Sequence, residues 1–195
     1  MINKYSCINI YEHMKKNSKL SSQILYGEKF TILKKYKDWY KIKTGYDKYV
    51  GFIKKKKFKK LTFNPTHKVS SLKANIFFKP IKNSKIKTKL SFASLLQVKT
   101  SKKAFFKFDN YWIQKSDVVP LNYKEKIFKR ISIFKNVKYK WGGKRFDGID
   151  CSGLVQLFYK FNNLYCPRDT GPQFRYFKKF KSIKKDAIIF WKGHV

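Results

Sequence analysis

The sequence predicts an α+β protein in which two small all-β units precede a segment that mixes helix and strand. Apolar and polar residues alternate over about residues 5–58, and the same plan returns over about residues 69–119. After Pro120 the apolar residues take the spacing of a helix instead. These observations divide the chain into three parts, at residues 1–60, 66–120 and 122–195.

Short strands separated by turns are predicted for the first unit. The strand-like runs are enriched in β-branched and aromatic residues, and the turn residues Gly27-Glu28 and Gly45 separate them. The runs lie at residues 24–26, 30–33, 39–43 and 49–53. Several short strands with turns between them predict a small barrel.

The second unit repeats this plan. An extended entry is followed by two runs and then, after the polar turn Asp109-Asn110, by an aromatic run. These runs lie at residues 75–80, 95–98, 104–108 and 111–113. The common order predicts an internal repeat of about fifty residues and therefore a second small barrel.

The third segment is predicted to open with a helix over residues 122–137. Its apolar residues fall at i, i+4 and i+7, namely Ile127, Ile131 and Phe134. Near the carboxyl end, the continuous apolar run at residues 188–191 predicts a buried strand, which a turn at Lys192-Gly193 follows.

Cys151 is the candidate nucleophile of this segment. It follows a glycine-rich loop at residues 139–150 and begins a second predicted helix, which runs to about Asn162. A thiol in the first turn of a helix meets unpaired N–H groups and the positive end of the helix dipole, which favour the nucleophilic thiolate. Cysteine catalysis also needs an imidazole. His194, which follows the predicted turn, is the candidate base.

Ordinary structural roles compete with these assignments, because buried cysteines and lone histidines are common in protein cores. Cys7 and Cys166 do not begin an apolar helix after a glycine-rich loop, and we interpret both as packing residues. Three cysteines at no metal-ligand spacing predict neither a disulfide framework nor a metal site. We expect no cofactor.

The charge of the chain suggests a kind of partner without identifying one. With 47 Lys and Arg against 11 Asp and Glu, the net charge is +36, which predicts non-specific contact with polyanions. Only four of these residues are Arg, so sequence-specific reading of nucleic acid is not favoured. The Lys-rich, Ala-poor composition is also typical of AT-rich codon usage.

No targeting or membrane-spanning segment is visible in the sequence. The amino terminus lacks a continuous apolar core, and no run of 18 or more apolar residues occurs. We therefore expect a cytoplasmic location, with the periplasm or the cell envelope as the alternative.

Five motifs of the third segment occur in an order that resembles one protein family. They are Tyr139-Lys140-Trp141-Gly142-Gly143, the run around Asp150-Cys151-Ser152-Gly153, the run Cys166-Pro167-Arg168-Asp169-Thr170 with Gln173 after it, the run Asp186-Ala187-Ile188-Ile189-Phe190-Trp191, and Gly193-His194-Val195. In this order they resemble the NlpC/P60 family of bacterial cell-wall cysteine peptidases. The two β units resemble bacterial SH3-like domains, the first through Gly27-Glu28, Trp39 and residues 47–52.

The resemblance implies a papain-like α+β domain that hydrolyses the peptide stems of murein. The bond cut is commonly the one between γ-D-glutamate and a diamino acid, as in murein recycling. Cys151 aligns with the nucleophile and His194 with the base. Asp150 and Ser152, with Tyr49 of the first SH3-like unit, align with residues that hold the free amine of the stem's terminal L-alanine. We interpret Arg168 as a structural ion-pair partner.

The sequence departs from the family pattern at its carboxyl end. Family members carry a polar residue beyond the histidine that orients the imidazole, but here only Val195 follows His194. We therefore expect an incomplete peptidase domain whose activity is impaired in this 195-residue form. Two alternatives stay open: a non-catalytic protein that binds cell wall or polyanions, and a nucleic-acid binding module built from the barrels.

Overall fold

Alternating side chains build a five-stranded antiparallel sheet in the first unit, with the strand order β2-β1-β5-β4-β3. Its strands are Cys7–Tyr11 (β1), Leu20–Leu25 (β2), Phe30–Lys35 (β3), Trp39–Thr44 (β4) and Val50–Lys54 (β5). Every second residue faces inward along a strand. The inward side chains form one core, namely Ile8, Ile10, Ile24, Phe30, Ile42 and Ile53. The strands predicted from alternation are confirmed here.

The structure is a computed structural model that describes residues 1–58, 60, 62–183 and 187–195. Its second unit has a five-stranded sheet, ordered β10-β11-β12-β7-β8, and a three-stranded sheet, ordered β13-β6-β9. The strands are His67–Val69 (β6), Lys73–Phe77 (β7), Ile86–Ser91 (β8), Leu95–Leu96 (β9), Val98–Lys102 (β10), Phe105–Phe108 (β11), Tyr111–Gln114 (β12) and Val118–Pro120 (β13). Tyr26 of the first unit packs into the core of the second.

The third segment has two short strands and two α-helices within the described ranges. They are Lys144–Arg145 (β14), Gly148–Ile149 (β15), Cys151–Phe161 (α1) and Thr170–Tyr176 (α2). The predicted helix that begins at Cys151 is confirmed, and so is the α+β class. Phe92 of the second unit stacks on Phe161 of α1 with ring centroids 4.5 Å apart, so both units share a core with this segment. No helix of the described residues is long and apolar enough to span a membrane.

The helix predicted over residues 122–137 is wrong. Turns occupy this stretch, with one 3₁₀ helix at Ile131–Phe134. Phe128 has a positive φ of 67°, a conformation that no α-helix continues through. In that conformation the Phe128 ring packs against Phe158 of α1, with centroids 5.4 Å apart. Packing against α1 therefore overrides the local helical pattern.

The buried strand predicted at residues 188–191 is also wrong. Residues 187–190 have no strand structure, and Ile189 and Trp191 are 56% and 59% exposed. The ring of Phe190 packs instead against Phe174 of α2, with centroids 5.7 Å apart. A strand needs hydrogen-bonding neighbours, and in the described part of this stretch only Trp191 forms a bridge, with His194.

Helix α1 is held by charged side chains of both β units. Lys68 of β6 is fully buried, and its ammonium donates to the carbonyl oxygens of Phe161 and of Tyr123. A cation at a helix carboxyl terminus meets the negative end of the helix dipole. On the other side, Lys160 of α1 forms a buried ion pair with Glu28 of the first unit.

The Glu28–Lys160 pair predicts how stability depends on acid pH. Burial acts to raise the pKa of Glu28, but the ammonium groups of Lys144 and Lys160 outweigh it, so the pKa is lowered. A carboxyl whose folded pKa lies below its unfolded value of about 4.3 stabilises the fold above that pH. The contribution is lost as the pH falls through the folded pKa.

We therefore expect the unfolding free energy of the wild type to fall more steeply between about pH 5 and 3 than that of Glu28→Gln. Denaturant titrations at stepped pH measure the two slopes. Asp38→Asn, at an exposed carboxylate of the same unit, is the control. Equal slopes for the wild type and Glu28→Gln would contradict the prediction.

Candidate active site

Asp150 fixes the start of α1 and so the position of Cys151. Its backbone is extended (φ −98°, ψ 170°), and its carboxylate accepts from the backbone N–H of Gly153 at 2.7 Å. This is an N-cap, which satisfies a donor that the first helical turn would leave unpaired. Cys151 is the first residue of the helix, is half-buried and has a free thiol.

Arg168 completes the support beneath this turn. Its guanidinium donates to both oxygens of Asp150, at 3.0 and 2.7 Å, and to the hydroxyl of Ser152 at 3.0 Å. Its Nε donates to Ser22 of β2 at 3.0 Å. Arg168 and Asp150 are both buried, so the predicted structural role of Arg168 is what the geometry shows.

The glycine-rich loop lies directly on the first turn of α1. The Gly142 N–H donates to the second oxygen of Asp150 at 2.8 Å. A Cβ at Gly153 would lie 2.6 Å from both the Gly143 carbonyl oxygen and the Asp150 carboxylate, too close for any side chain. Glycine at these positions therefore allows the loop to close against the helix beside Cys151.

Cys151 opens into a cavity of about 280 Å³ between the first β unit and the third segment. All of the predicted substrate-binding residues line it, namely Tyr49, Asp150 and Ser152. The other lining residues are Glu12, Ser21, Tyr139, Trp141, Asp169, Thr170, Gly171 and Gly193. Three residues of the whole lining are acidic, namely Glu12, Asp150 and Asp169. The described residues contribute no Lys or Arg to the lining, although the chain carries a net charge of +36.

Tyr49 and Asp169 are among the ionisable side chains of this cavity whose pKa values are shifted by their surroundings. Burial and the nearby Asp169 carboxylate raise the pKa of the Tyr49 hydroxyl, which keeps it a hydrogen-bond donor at neutral pH. Burial also raises the pKa of Asp169, against the opposing effect of the Arg168 guanidinium. A second cause that raises it is the charge of other carboxylates, Asp150 and Glu12 among them.

His194 lies in a tight turn, and the preceding residue, Gly193, lines the cavity. Trp191 and His194 exchange backbone hydrogen bonds of 3.2 and 2.8 Å, and Gly193, with a φ of 76°, makes the turn between them. The imidazole is exposed and stacks on the Trp191 ring at 5.7 Å. Among the described residues no hydrogen bond joins it to Cys151, and the pairing of the two side chains stays a prediction.

The two other cysteines lie in different surroundings. Cys166 is fully buried, and burial raises the pKa of its thiol to about 12. Burial likewise raises the pKa of Cys7 to about 11. Both are therefore thiols at neutral pH, and neither lines the cavity.

Glu12 and Asp169 are cavity residues that the sequence analysis did not select. Glu12 follows β1, and Asp169 precedes α2 as its N-cap residue, without a side-chain capping bond. The scarcity of acids was the available signal, because an acid is unusual in this chain. Their approach to Cys151 depends on tertiary packing. Among the described residues no group of three His, Cys, Asp or Glu has a geometry that could hold a metal ion.

These features define a class of protein with a small β unit in front of an α+β segment. A cysteine begins a capped helix of that segment and faces a cavity that the β unit also lines. Residues 136–195 match the model of the NlpC/P60 family, and residues 10–58 match the model described as the bacterial dipeptidyl-peptidase Sh3 domain. These two matches confirm the resemblance found in the sequence, to an NlpC/P60 segment that follows an SH3-like unit.

The chain is also similar to two curated proteins. The chain is 27% identical over 170 residues to the gamma-D-glutamyl-L-lysine dipeptidyl-peptidase of Bacillus subtilis (strain 168), covering 79% of this chain and 57% of that protein. It is 24% identical over 184 residues to the protein of the same name from Bacillus cereus (strain ATCC 10987 / NRS 248), covering 81% and 55%. The chain therefore spans a little over half the length of these curated relatives.

The fold is also that of a solved structure. An NlpC/P60 family protein from Bacillus cereus ATCC 10987 superposes with a TM-score of 0.74 at 20% identity, covering 96% of this chain and 79% of that one. The likeness supports the predicted fold class, an SH3-like unit in front of an α+β domain.

Proposed function

We propose that this protein acts as a cysteine endopeptidase on the peptide stems of murein and cuts between γ-D-glutamate and a diamino acid. Cys151 is the nucleophile, whose thiolate attacks the scissile carbonyl. His194 is the base that shares the thiol proton and then protonates the leaving amine. The names of the two Bacillus relatives support the choice of bond.

The acidic cavity around Cys151 is the observation that carries this proposal. An ammonium group is best bound by carboxylates and by an aromatic hydroxyl or face. Asp150 already accepts four hydrogen bonds, two of them from Arg168, which is the full capacity of a carboxylate. We therefore propose that Glu12 and Asp169 balance most of the positive charge of the substrate's ammonium group, with Tyr49 beside them.

A cavity that binds an ammonium selects peptides whose amino terminus is unblocked. Such peptides have been released from the glycan, so the site suits the processing of free stem fragments. Burying an unpaired carboxylate against an acylated amine costs binding energy, since the acidic groups then have no partner. The preference for unblocked over acylated peptides does not depend on how fast this 195-residue form hydrolyses either one.

The test compares one stem peptide in two forms. We expect L-Ala-γ-D-Glu-L-Lys to be hydrolysed with a kcat/KM at least about tenfold higher than its N-acetyl derivative, the size of one lost charged hydrogen bond. Separation of the released L-Lys measures both rates. Equal rates for the two peptides would contradict the role of the cavity.

Salt separates this proposal from the non-catalytic alternative, which the net charge of +36 favours. Binding of a polyanion through lysines weakens steeply with added salt, because counterions are released on binding. Hydrolysis in an enclosed cavity depends much less on salt. Retention of a polyanion at low salt without any peptide hydrolysis would support the alternative.

A further inference from the structure

A buried amide on α1 connects three walls of the cavity. Gln156 is fully buried and lies five residues after Cys151, about 7.5 Å further along the helix axis. Its Nε2 donates to the Asp47 carboxylate at 2.8 Å and to the Cys166 carbonyl at 3.1 Å. Its Oε1 accepts from the Lys144 ammonium at 3.3 Å. Both ends of the amide are therefore engaged.

Asp47 belongs to the turn that carries Tyr49. One oxygen of Asp47 accepts from the Thr44 hydroxyl and, at 3.4 Å, from the Tyr49 N–H. The Tyr49 N–H also donates to the Thr44 hydroxyl at 2.8 Å. Lys48, between Asp47 and Tyr49, has a positive φ of 59°, which a residue with a side chain adopts only where its surroundings hold it.

The third wall begins at Cys166. The carbonyl that Gln156 holds lies two residues before Arg168 and three before Asp169, which lines the cavity. A shift of the Cys166 carbonyl would therefore move both side chains relative to α1. Lys144 balances the charge of Asp47. Burial acts to raise the pKa of Asp47, but the Lys144 ammonium and the hydrogen bonds from Thr44 and Gln156 outweigh burial, so the pKa is lowered.

We propose that Gln156 and Asp47 are positioning residues for recognition of the substrate's amine. Their hydrogen bond sets the distance between Cys151 on α1 and Tyr49 on the first β unit. The hydrogen bond from Gln156 to the Cys166 carbonyl sets the distance between Cys151 and Asp169. This inference rests on the proposed function. Neither residue lines the cavity, so both act on binding of the unblocked amine and not on the bond-breaking step.

The test uses Asp47→Asn, Gln156→Glu and the two together. Asp47→Asn keeps one oxygen for the turn but sets an amide donor against the Gln156 amide, and Gln156→Glu sets a carboxylate against Asp47. We expect each single change to raise KM for L-Ala-γ-D-Glu-L-Lys about five- to tenfold, as one lost hydrogen bond would, with kcat within twofold. The N-acetyl peptide should change little, so the selectivity between the two peptides falls.

The double variant restores the link with its polarity reversed. The amide introduced at position 47 then donates to the carboxylate introduced at position 156, whose other oxygen accepts from Lys144, and the charge of the cluster is unchanged. The carboxylate at position 156 cannot donate to the Cys166 carbonyl, so that hydrogen bond stays lost. We expect part of the selectivity to return, to a level above that of Gln156→Glu alone. Asp38→Asn, at an exposed carboxylate of the same unit, should leave both peptides unaffected. A merely structural role would instead lower kcat for both peptides alike.

Binding distinguishes the ways in which this inference can fail. L-Ala-γ-D-Glu is titrated calorimetrically into the Cys151→Ala chain, with and without the two changes. Wild-type hydrolysis with unchanged selectivity in both single variants overturns the positioning role alone, and so does a double variant whose selectivity is no higher than that of Gln156→Glu. A chain that neither binds the dipeptide nor cleaves the tripeptide overturns the proposed function and this inference with it.

Discussion

Replacing Cys151 with alanine is expected to lower kcat/KM for the stem tripeptide by about 10⁴-fold, or to the level of buffer. The thiol of Cys151, the proposed nucleophile, lines the cavity, and Cys151 begins a helix whose first turn is fixed by Asp150 and the glycine-rich loop. Alanine retains the helix and the cavity, so the loss reports chemistry. The measurement is hydrolysis of L-Ala-γ-D-Glu-L-Lys at the highest concentration of protein that stays soluble.

Cys7→Ala is the matched control, because the chain offers a second half-buried free thiol outside the cavity. We expect its activity to stay within about twofold of the wild type, since burial raises the pKa of Cys7 to about 11 and keeps it uncharged. Dipeptide binding by Cys151→Ala should also persist. Retention of a tenth or more of the activity in Cys151→Ala would show that another group carries the reaction.

Local patterns predicted those elements whose surroundings are local as well. Strands β3, β4 and β5 of the first unit follow from alternation, because each of them pairs with a strand close in sequence. Helix α1 follows from its apolar spacing and from Asp150, which caps it. The signals for both lie within a dozen residues of the element.

The failed predictions share a cause, which is packing against distant residues. Phe128 leaves the helical conformation because its ring is held against α1, and Phe190 packs on α2 in place of a neighbouring strand. In both cases the deciding partner lies outside the window that a sequence pattern covers. Strand β8 was missed for a different reason, because its lysines hide the apolar side of the alternation.

Four of the residues selected from the sequence line the cavity, whereas the acidic character of its lining was not predicted. A chain with 47 basic residues gives no local sign that Lys68, Lys144 and Lys160 are buried. Likewise, Glu12 and Asp169 lie 157 residues apart in the sequence and meet only at the cavity. Their roles depend on which surface of the first β unit packs against α1, which only the structure shows.

The largest effect on stability is expected from Asp150→Asn. The Asp150 carboxylate neutralises the buried Arg168 guanidinium, caps α1 through Gly153 and accepts from Gly142. Asparagine keeps the shape but presents one acceptor, and its amide opposes the donors of Arg168. Leaving a buried charge without its partner costs about 3–5 kcal/mol, a large part of the roughly 5–15 kcal/mol that stabilises a folded protein.

Urea titrations measure this loss against a matched exposed pair. Arg145 and Asp147 form a bidentate ion pair of 2.9 Å contacts in the adjacent loop, with the Asp147 side chain 48% exposed. Asp147→Asn should therefore cost no more than about 1 kcal/mol. Adding Arg168→Met to Asp150→Asn removes the unpaired charge and should recover much of the lost stability. If Asp150→Asn costs as little as Asp147→Asn, the ion pair does not stabilise the start of α1, and Cys151 is held there by the loop alone.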